Sequence, residues 1–467
     1  MQALQLAELT GQVPPGVGEA LEVVAGFDAA LADGLARLGP RHTEALEALA
    51  GAVGGSPLGA ALAEASGKIA AGSIGVAELA AVAGARAALL GAVHDALLDR
   101  LDGALGRSRS VWEEPPADPE REPVPAGLLA AARSWLQELA IAGWRGVDDA
   151  LVSAADQALD ALWAEPEPRL RRLAVLADGL AAELRASCPV ATMERIPERR
   201  WADLWTRAVL LSHAGSWTGG ATTVSGRLLP LGVDVHEHGT AVQVQLHAVL
   251  EPAGEGPVRL VRVAVAAAKV DTIVGPLVWR LLAAYPTLLT ALAERRAVEV
   301  TEMSLTSGGD LQWDEERAEA GEPADPFATA RVRLPGAQAP AVAPLDRHPV
   351  RIAEPVLVEG YRAGRDGTFD LNGESLAVDL DRLPSSGPLT PQLVKASTAC
   401  IGLLRWDAGQ WTLQPLAVQA LVKKQPVEAH NGDWAMGPTD PKVSKALARS
   451  GDAVAVLSER AGRLLRK

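Results

Sequence analysis

Between Pro197 and Leu250 the chain changes from a helical pattern to a strand pattern, and that change constrains the fold more than any other feature. Trp201, Leu204, Trp205, Ala208 and Val209 fall at i, i+3, i+4, i+7 and i+8, one face of a helix. Pro197 and Glu198 suit its first turn, and a stop is expected near Gly215. After Gly219-Gly220 the residues alternate. Val233 and Val235 point one way and Asp234 and His236 the other, and then Val242, Val244 and Leu246 alternate with Gln243 and Gln245. With His238-Gly239 as a two-residue turn, Val235 pairs with Val242 and Val233 with Val244, which puts the apolar sets on one face.

The chain before this stretch reads helical, and most of the chain after it reads as short strands and turns. The expected class is therefore α+β and multi-domain, with a helical N-terminal half and a mixed or antiparallel β-rich C-terminal half. Residues 1–112 are rich in Ala and Leu and predict a helical bundle, with its longest helix from Val76 to Leu105. Residues 113–125 are acidic and rich in proline, as expected of an extended linker. Leu128, Ala132, Trp135, Leu136 and Leu139 begin a second helical domain, 126–215, whose Trp144 and Trp163 are read as core or helix-contact residues. Residues 216–312 predict an antiparallel sheet with a covering helix that Pro286 kinks or divides. A loop or linker is expected over 313–345 and a small barrel-like or meander β domain over 346–425. The last segment, 426–467, is expected as a mildly basic tail helix. Two hairpins stand out in the β domain. Asn372-Gly373 places Phe369 opposite Leu376, and Asp407 to Gln410 joins a strand ending at Trp406 to one starting at Trp411.

The charge balance argues against nucleic acid as a partner, because a formal net charge of -14 without a long Lys/Arg block repels phosphate backbones. Cys188 and Cys400, far apart and outside any CxxC pattern, supply neither a thiolate zinc site nor a disulfide framework, which fits a reducing cytoplasm. No basic leader and no run of about 20 uninterrupted apolar residues points to secretion or membrane spanning.

Asp234, His236 and His238 share a strand face by their two-residue spacing, and imidazole plus carboxylate is the donor set of a zinc or related site. The competing reading is a polar face turned to solvent, with His238 in the turn. Gly67-Lys68 fails as a phosphate loop because Ile69 stands where Ser or Thr is needed. Asp370, Asn372 and Glu374 fail as a calcium loop because Ser375 replaces the required Gly. No nucleophile elbow, zinc helix or dinucleotide fingerprint is present.

Three stretches resemble the region downstream of the zinc finger in bacterial SWIM zinc-finger proteins. They are Gly127 to Leu139, Arg171 to Leu184 leading into Arg200 to Leu210, and Leu403 to Leu416 with its closing Trp406/Trp411 hairpin. The finger itself needs a C-x-C and a C-x-H pair, which two cysteines cannot supply, so its zinc and its DNA binding are not carried over. The resemblance implies a companion or degenerate relative of those SWIM proteins, which are often encoded beside MoxR-type AAA+ ATPases and von Willebrand A proteins. The expectation is a cytoplasmic, non-enzymatic adaptor or scaffold with protein partners and no cofactor, and with Trp406 and Trp411 as an interaction surface. The alternatives are a metal-dependent hydrolase built on Asp234, His236 and His238, with zinc as the metal, and a small-ligand module with a Trp-lined pocket.

Overall fold

Glycine and proline cut the N-terminal half into helices where the sequence places them. The computed structural model describes residues 1–114, 126–165, 167–213, 220–364 and 367–449. Helices α1 (Ala3–Thr10), α2 (Val17–Asp33), α3 (Pro40–Ala52) and α4 (Gly59–Ala70) are short, whereas α5 (Val76–Leu105) runs 30 residues to a left-handed Gly106. Then come α6 (Ala126–Ala142), α7 (Asp149–Ser153), α8 (Asp156–Ala164), α9 (Pro168–Ser187) and α10 (Glu198–Leu211). Most of the expected linker, residues 115–125, lies outside the described residues, as does Gly215.

The two expected helical domains are one body. Phe27, Leu31 and Val82 share a single core with Leu136, Leu173, Trp201 and Trp205, because the Trp face of α10 packs on both α2 and α5. Trp144 is fully buried, edge-on to Trp201 at 6.1 Å between ring centroids. Trp163 departs from the expectation: it is 46% exposed on the outer side of α8. Among the described helices only α5 is long and apolar enough to cross a membrane by length and composition. In the fold it is a core helix. Its first half lies in the helical core, and Val93, Leu97 and Leu101 of its second half pack against the β half.

The first sheet contains β1 (Ala221–Glu237), β2 (Ala241–Pro252) and β3 (Arg259–Ala268). After α11 (Val278–Leu281) and α12 (Pro286–Glu294), separated at Pro286 as the sequence suggests, come β4 (Arg296–Thr306), β5 (Leu311–Gln312) and β6 (Ala318–Pro323). The order is β3-β2-β1-β4-β5, with β6 also on β4 and every pair antiparallel. The valine faces fall as expected, but the register does not. Val235 pairs with Val244 and Val233 with Leu246, two residues from the expected pairing, and the hairpin tip is Gly239-Thr240. Lys269 N–H donates to Thr240 O, and a Cβ on Gly239 would stand 2.6 Å from Asp271 Oδ1, so the end of β3 fixes the tip. A shift by two keeps every side chain on its face, which is why the alternation alone does not reveal it.

Residues 313–345 are not a linker. They contain β6 and α13 (Pro326–Val332), which Asp325 caps by accepting from the N–H groups of Phe327 and Ala328. Phe327 and Ala330, one turn apart, are buried in a core shared by both sheets.

The second sheet has β7 (Glu354–Glu359), β8 (Arg362–Ala363), β9 (Thr368–Leu371), β10 (Glu374–Val378), β11 (Ser397–Asp407), β12 (Gln410–Val422) and β13 (Gln425–His430), with α14 (Pro391–Lys395) before β11. Phe369 faces Leu376 and Trp406 faces Trp411, as their turns dictate. The expected barrel or meander is instead an open mixed sheet, order β7-β11-β12-β10-β9-β8, in which β10 runs parallel to β12 and β13 pairs with β12. The expected tail helix thus begins as a strand, because Gln425 to His430 complete a hairpin with β12. Only α15 (Pro441–Arg449) of the tail is a described helix, and residues 450–467 lie outside the described residues.

The sheets pack face to face. Leu229, Leu231 and Val249 of the first meet Leu357, Ile401 and Ala417 of the second in one core with Phe327. At Gly232 the sheets approach so closely that a Cβ would stand 2.7 Å from Leu416 Cβ.

Candidate functional site

The face of β1 opposite the valines, read as solvent-exposed, is covered by the second sheet up to Asp234. A bulge between Pro230 and Gly232 lets β1 keep leucines and then Asp234 on that inner side. Asp234 is therefore 1% exposed. Its Oδ2 accepts from Arg405 Nη2 at 2.8 Å and its Oδ1 from Gln414 Nε2 at 2.7 Å, while Arg405 Nε donates to Gln414 Oε1 at 2.6 Å. The three side chains close a ring across the sheets. His236, half-exposed at the rim, sets Nε2 2.8 Å from Asp234 Oδ2. Burial alone would raise the Asp234 carboxyl, but His236, Arg405 and Gln414 together hold it at about 2.

His238 does not join them. It is exposed in the hairpin loop, with its N–H bonded to Ala241 O and Nδ1 3.2 Å from Thr240 Oγ1. Of the three expected ligands, two meet, and both oxygens of the Asp234 carboxylate are engaged, Oδ2 by Arg405 and His236 and Oδ1 by Gln414. No group of three or more His, Cys, Asp or Glu side chains suited to a metal occurs among the described residues.

Beside His236 opens a pocket of about 400 Å³, walled by the end of β1 and by the loop from Asp381 to Ser385. Burial pushes the Glu237 carboxyl up, although Lys269 and the Ser385 hydroxyl oppose the shift. Imidazole, hydroxyl and carboxylates line this pocket, which makes it polar and open. Deeper between the sheets lies His247, opposite Gly232, which burial and then the Arg262 charge depress to about 3. Its Nε2 has no partner among the described residues. Cys400 is fully buried, and burial pushes its thiol up, away from the thiolate a nucleophile needs.

Trp406 and Trp411, expected on an interaction surface, are each 5% exposed. They pack edge to face at 5.3 Å beneath α1 and the second half of α5, where they close one wall of a cleft of about 350 Å³. The cross-strand Trp pair is legible in the sequence. The helix that covers it, starting more than three hundred residues earlier, is not.

Arg405 and Gln414 carry no motif that marks them in the sequence. Each interrupts a short apolar run within its strand, Leu403-Leu404-Arg405-Trp406 and Leu413-Gln414-Pro415-Leu416. That interruption is the available signal, since a buried polar group requires a partner. Compared with protein-family models, curated proteins and solved structures, the chain matches none.

Proposed function

We propose that the chain is a non-enzymatic adaptor whose protein partner docks on the tip of the β12/β13 hairpin. The observation that carries this reading is the apolar surface left at that tip. Leu421 is 61% exposed, Val422 38% and Val427 36%, around the turn Lys423-Lys424. Both lysines hold positive φ, 51° and 66°, a conformation that Asn-Gly adopts with less strain. Two positive charges are thus held at an apolar tip of a strongly acidic protein, which suits a partner face of apolar groups ringed by carboxylates. The outer edge of β13 is protected: Pro426 lacks an N–H, Arg295 Nη2 donates to Glu428 O, and His430 N–H donates to Asp433. The tip's side chains, rather than strand addition, are therefore the means of contact.

The Asp234 ring supports the same reading from the other side, because its carboxylate serves to hold the two sheets together. By the SWIM resemblance, the partner is a MoxR-type AAA+ ATPase or a von Willebrand A protein. Native co-purification of the tagged chain, with mass spectrometry of the proteins that accompany it in fixed ratio, tests the proposal. A constant partner lost on Leu421→Asp supports it, and a constant partner retained by that variant refutes the tip as its site.

A further inference from the structure

The cleft beneath α1 has a lining of one sign. Among the described residues Arg100 is the only charged side chain in it, and no Asp or Glu contributes. The guanidinium is held rigidly by the end of α1: Nε donates to Leu9 O at 3.1 Å, Nη2 to Glu8 O at 2.5 Å, and Nη1 to Gln12 O. All three acceptors are neutral carbonyls. Among the described residues Arg100 makes no ion pair, so no carboxylate neutralises it and its charge is offset only by the carbonyl end of α1 that it caps.

Opposite it, Trp406 and Trp411 are 95% buried, and neither indole N–H has an acceptor among the described residues. Three buried indoles find one, Trp135 on Leu151 O, Trp205 on Leu136 O and Trp279 on Ser386 O, whereas those of Trp144 and Trp434 are sealed in the interior without a partner among the described residues. The indole N–H groups of Trp406 and Trp411, by contrast, are not sealed off, and both residues line the cleft. A buried indole that can find an acceptor normally does. Leu9, Val13 and Pro14 supply an apolar wall.

We propose that this cleft binds a small organic acid, a carboxylate on a compact apolar or aromatic body. The carboxylate takes the field of Arg100 and the indole N–H donors, and the body lies against the ring faces and the α1 loop. A volume of about 350 Å³ admits a ligand near the lower end of the usual range for small-molecule sites. A free metabolite-sized acid and the C-terminal carboxylate of a peptide present the same chemistry. The site is separate from the hairpin tip and does not depend on the adaptor reading.

Phenylacetate, with phenylacetamide as its neutral isostere, tests the proposal on the full chain by ¹⁵N-resolved NMR of the indole Hε1 resonances. Phenylacetate is expected to shift the Trp406 and Trp411 resonances with a Kd on the order of 1 mM, and the amide to bind roughly tenfold or more weakly. Ser375→Phe, at an exposed position of the cleft wall, is expected to abolish the shifts without lowering Tm. Equal binding of acid and amide, shifts confined to other tryptophans, or no shift at roughly 50 mM phenylacetate would overturn the proposal. A dipeptide ending in Phe, run beside its C-terminal amide, separates the sources. Tighter binding than phenylacetate assigns the site to a peptide terminus, and weaker binding assigns it to a free acid.

Discussion

Arg405 on β11 and Asp234 on β1 meet at 2.8 Å across 171 positions of sequence, almost fully out of water, and through them the two sheets are joined. Breaking a buried pair leaves one ion without its partner. Arg405→Ala is therefore expected to lose about 3–5 kcal/mol of unfolding free energy, read from urea midpoints at pH 7. Arg405→Ala in an Asp234→Asn background should lose much less than the two single changes added together.

Stability should fall with acid in two steps. Burial holds His247 near 3 and His348 near 4 in the folded chain, against about 6.5 when unfolded. The unfolded chain therefore binds the extra protons between these limits. The stabilisation is complete above about pH 6.5 and declines as pH falls, by about 2 kcal/mol per histidine at pH 5. Asp234 and Glu354, each held at about 2 in the fold, act lower. Their contribution is present above about pH 4.5 and is lost as pH falls towards 2. Denaturant melts from pH 8 to 3 check this, and His247→Gln should flatten the slope between pH 6.5 and 5.

Gly232→Ala should destabilise by about 1–3 kcal/mol, since the added methyl meets Leu416 Cβ at 2.7 Å. Leu416→Ala leaves that Cβ in place and should not rescue it. Recovery of the wild-type Tm in the double variant would mean that the sheets approach less closely than described.

Legibility in the sequence depends on the range of the signal. Turn chemistry is local, so Asn372-Gly373 and Asp407 to Gln410 lead to the right registers, and the 3.6-residue spacing leads to α5 and α10. The alternation puts Asp234 opposite the valines but carries no word on whether that face is covered, because the covering strand lies more than 170 residues away. The same gap hides the burial of Trp406 and Trp411. In 313–345 a high content of Glu, Ala and Pro masks a capped helix whose Phe327 and Ala330 complete the core between the sheets.

Trp406→Ala separates burial from surface exposure directly. A core tryptophan at 5% exposure should cost about 3–5 kcal/mol, whereas an exposed contact residue would change stability by less than about 0.5 kcal/mol.

If the chain acts by holding a partner at the β12/β13 tip, with Asp234 and its neighbours serving structure, binding and stability should separate by variant. Quantitative co-purification of wild type, Leu421→Asp with Val427→Asp, and His236→Ala from the native host, after matching Tm, tests this. The expected result is a fixed-ratio partner with wild type and His236→Ala, reduced at least about tenfold by the tip variant. A partner recovered equally with all three, or no partner with wild type, would refute the tip as the working surface.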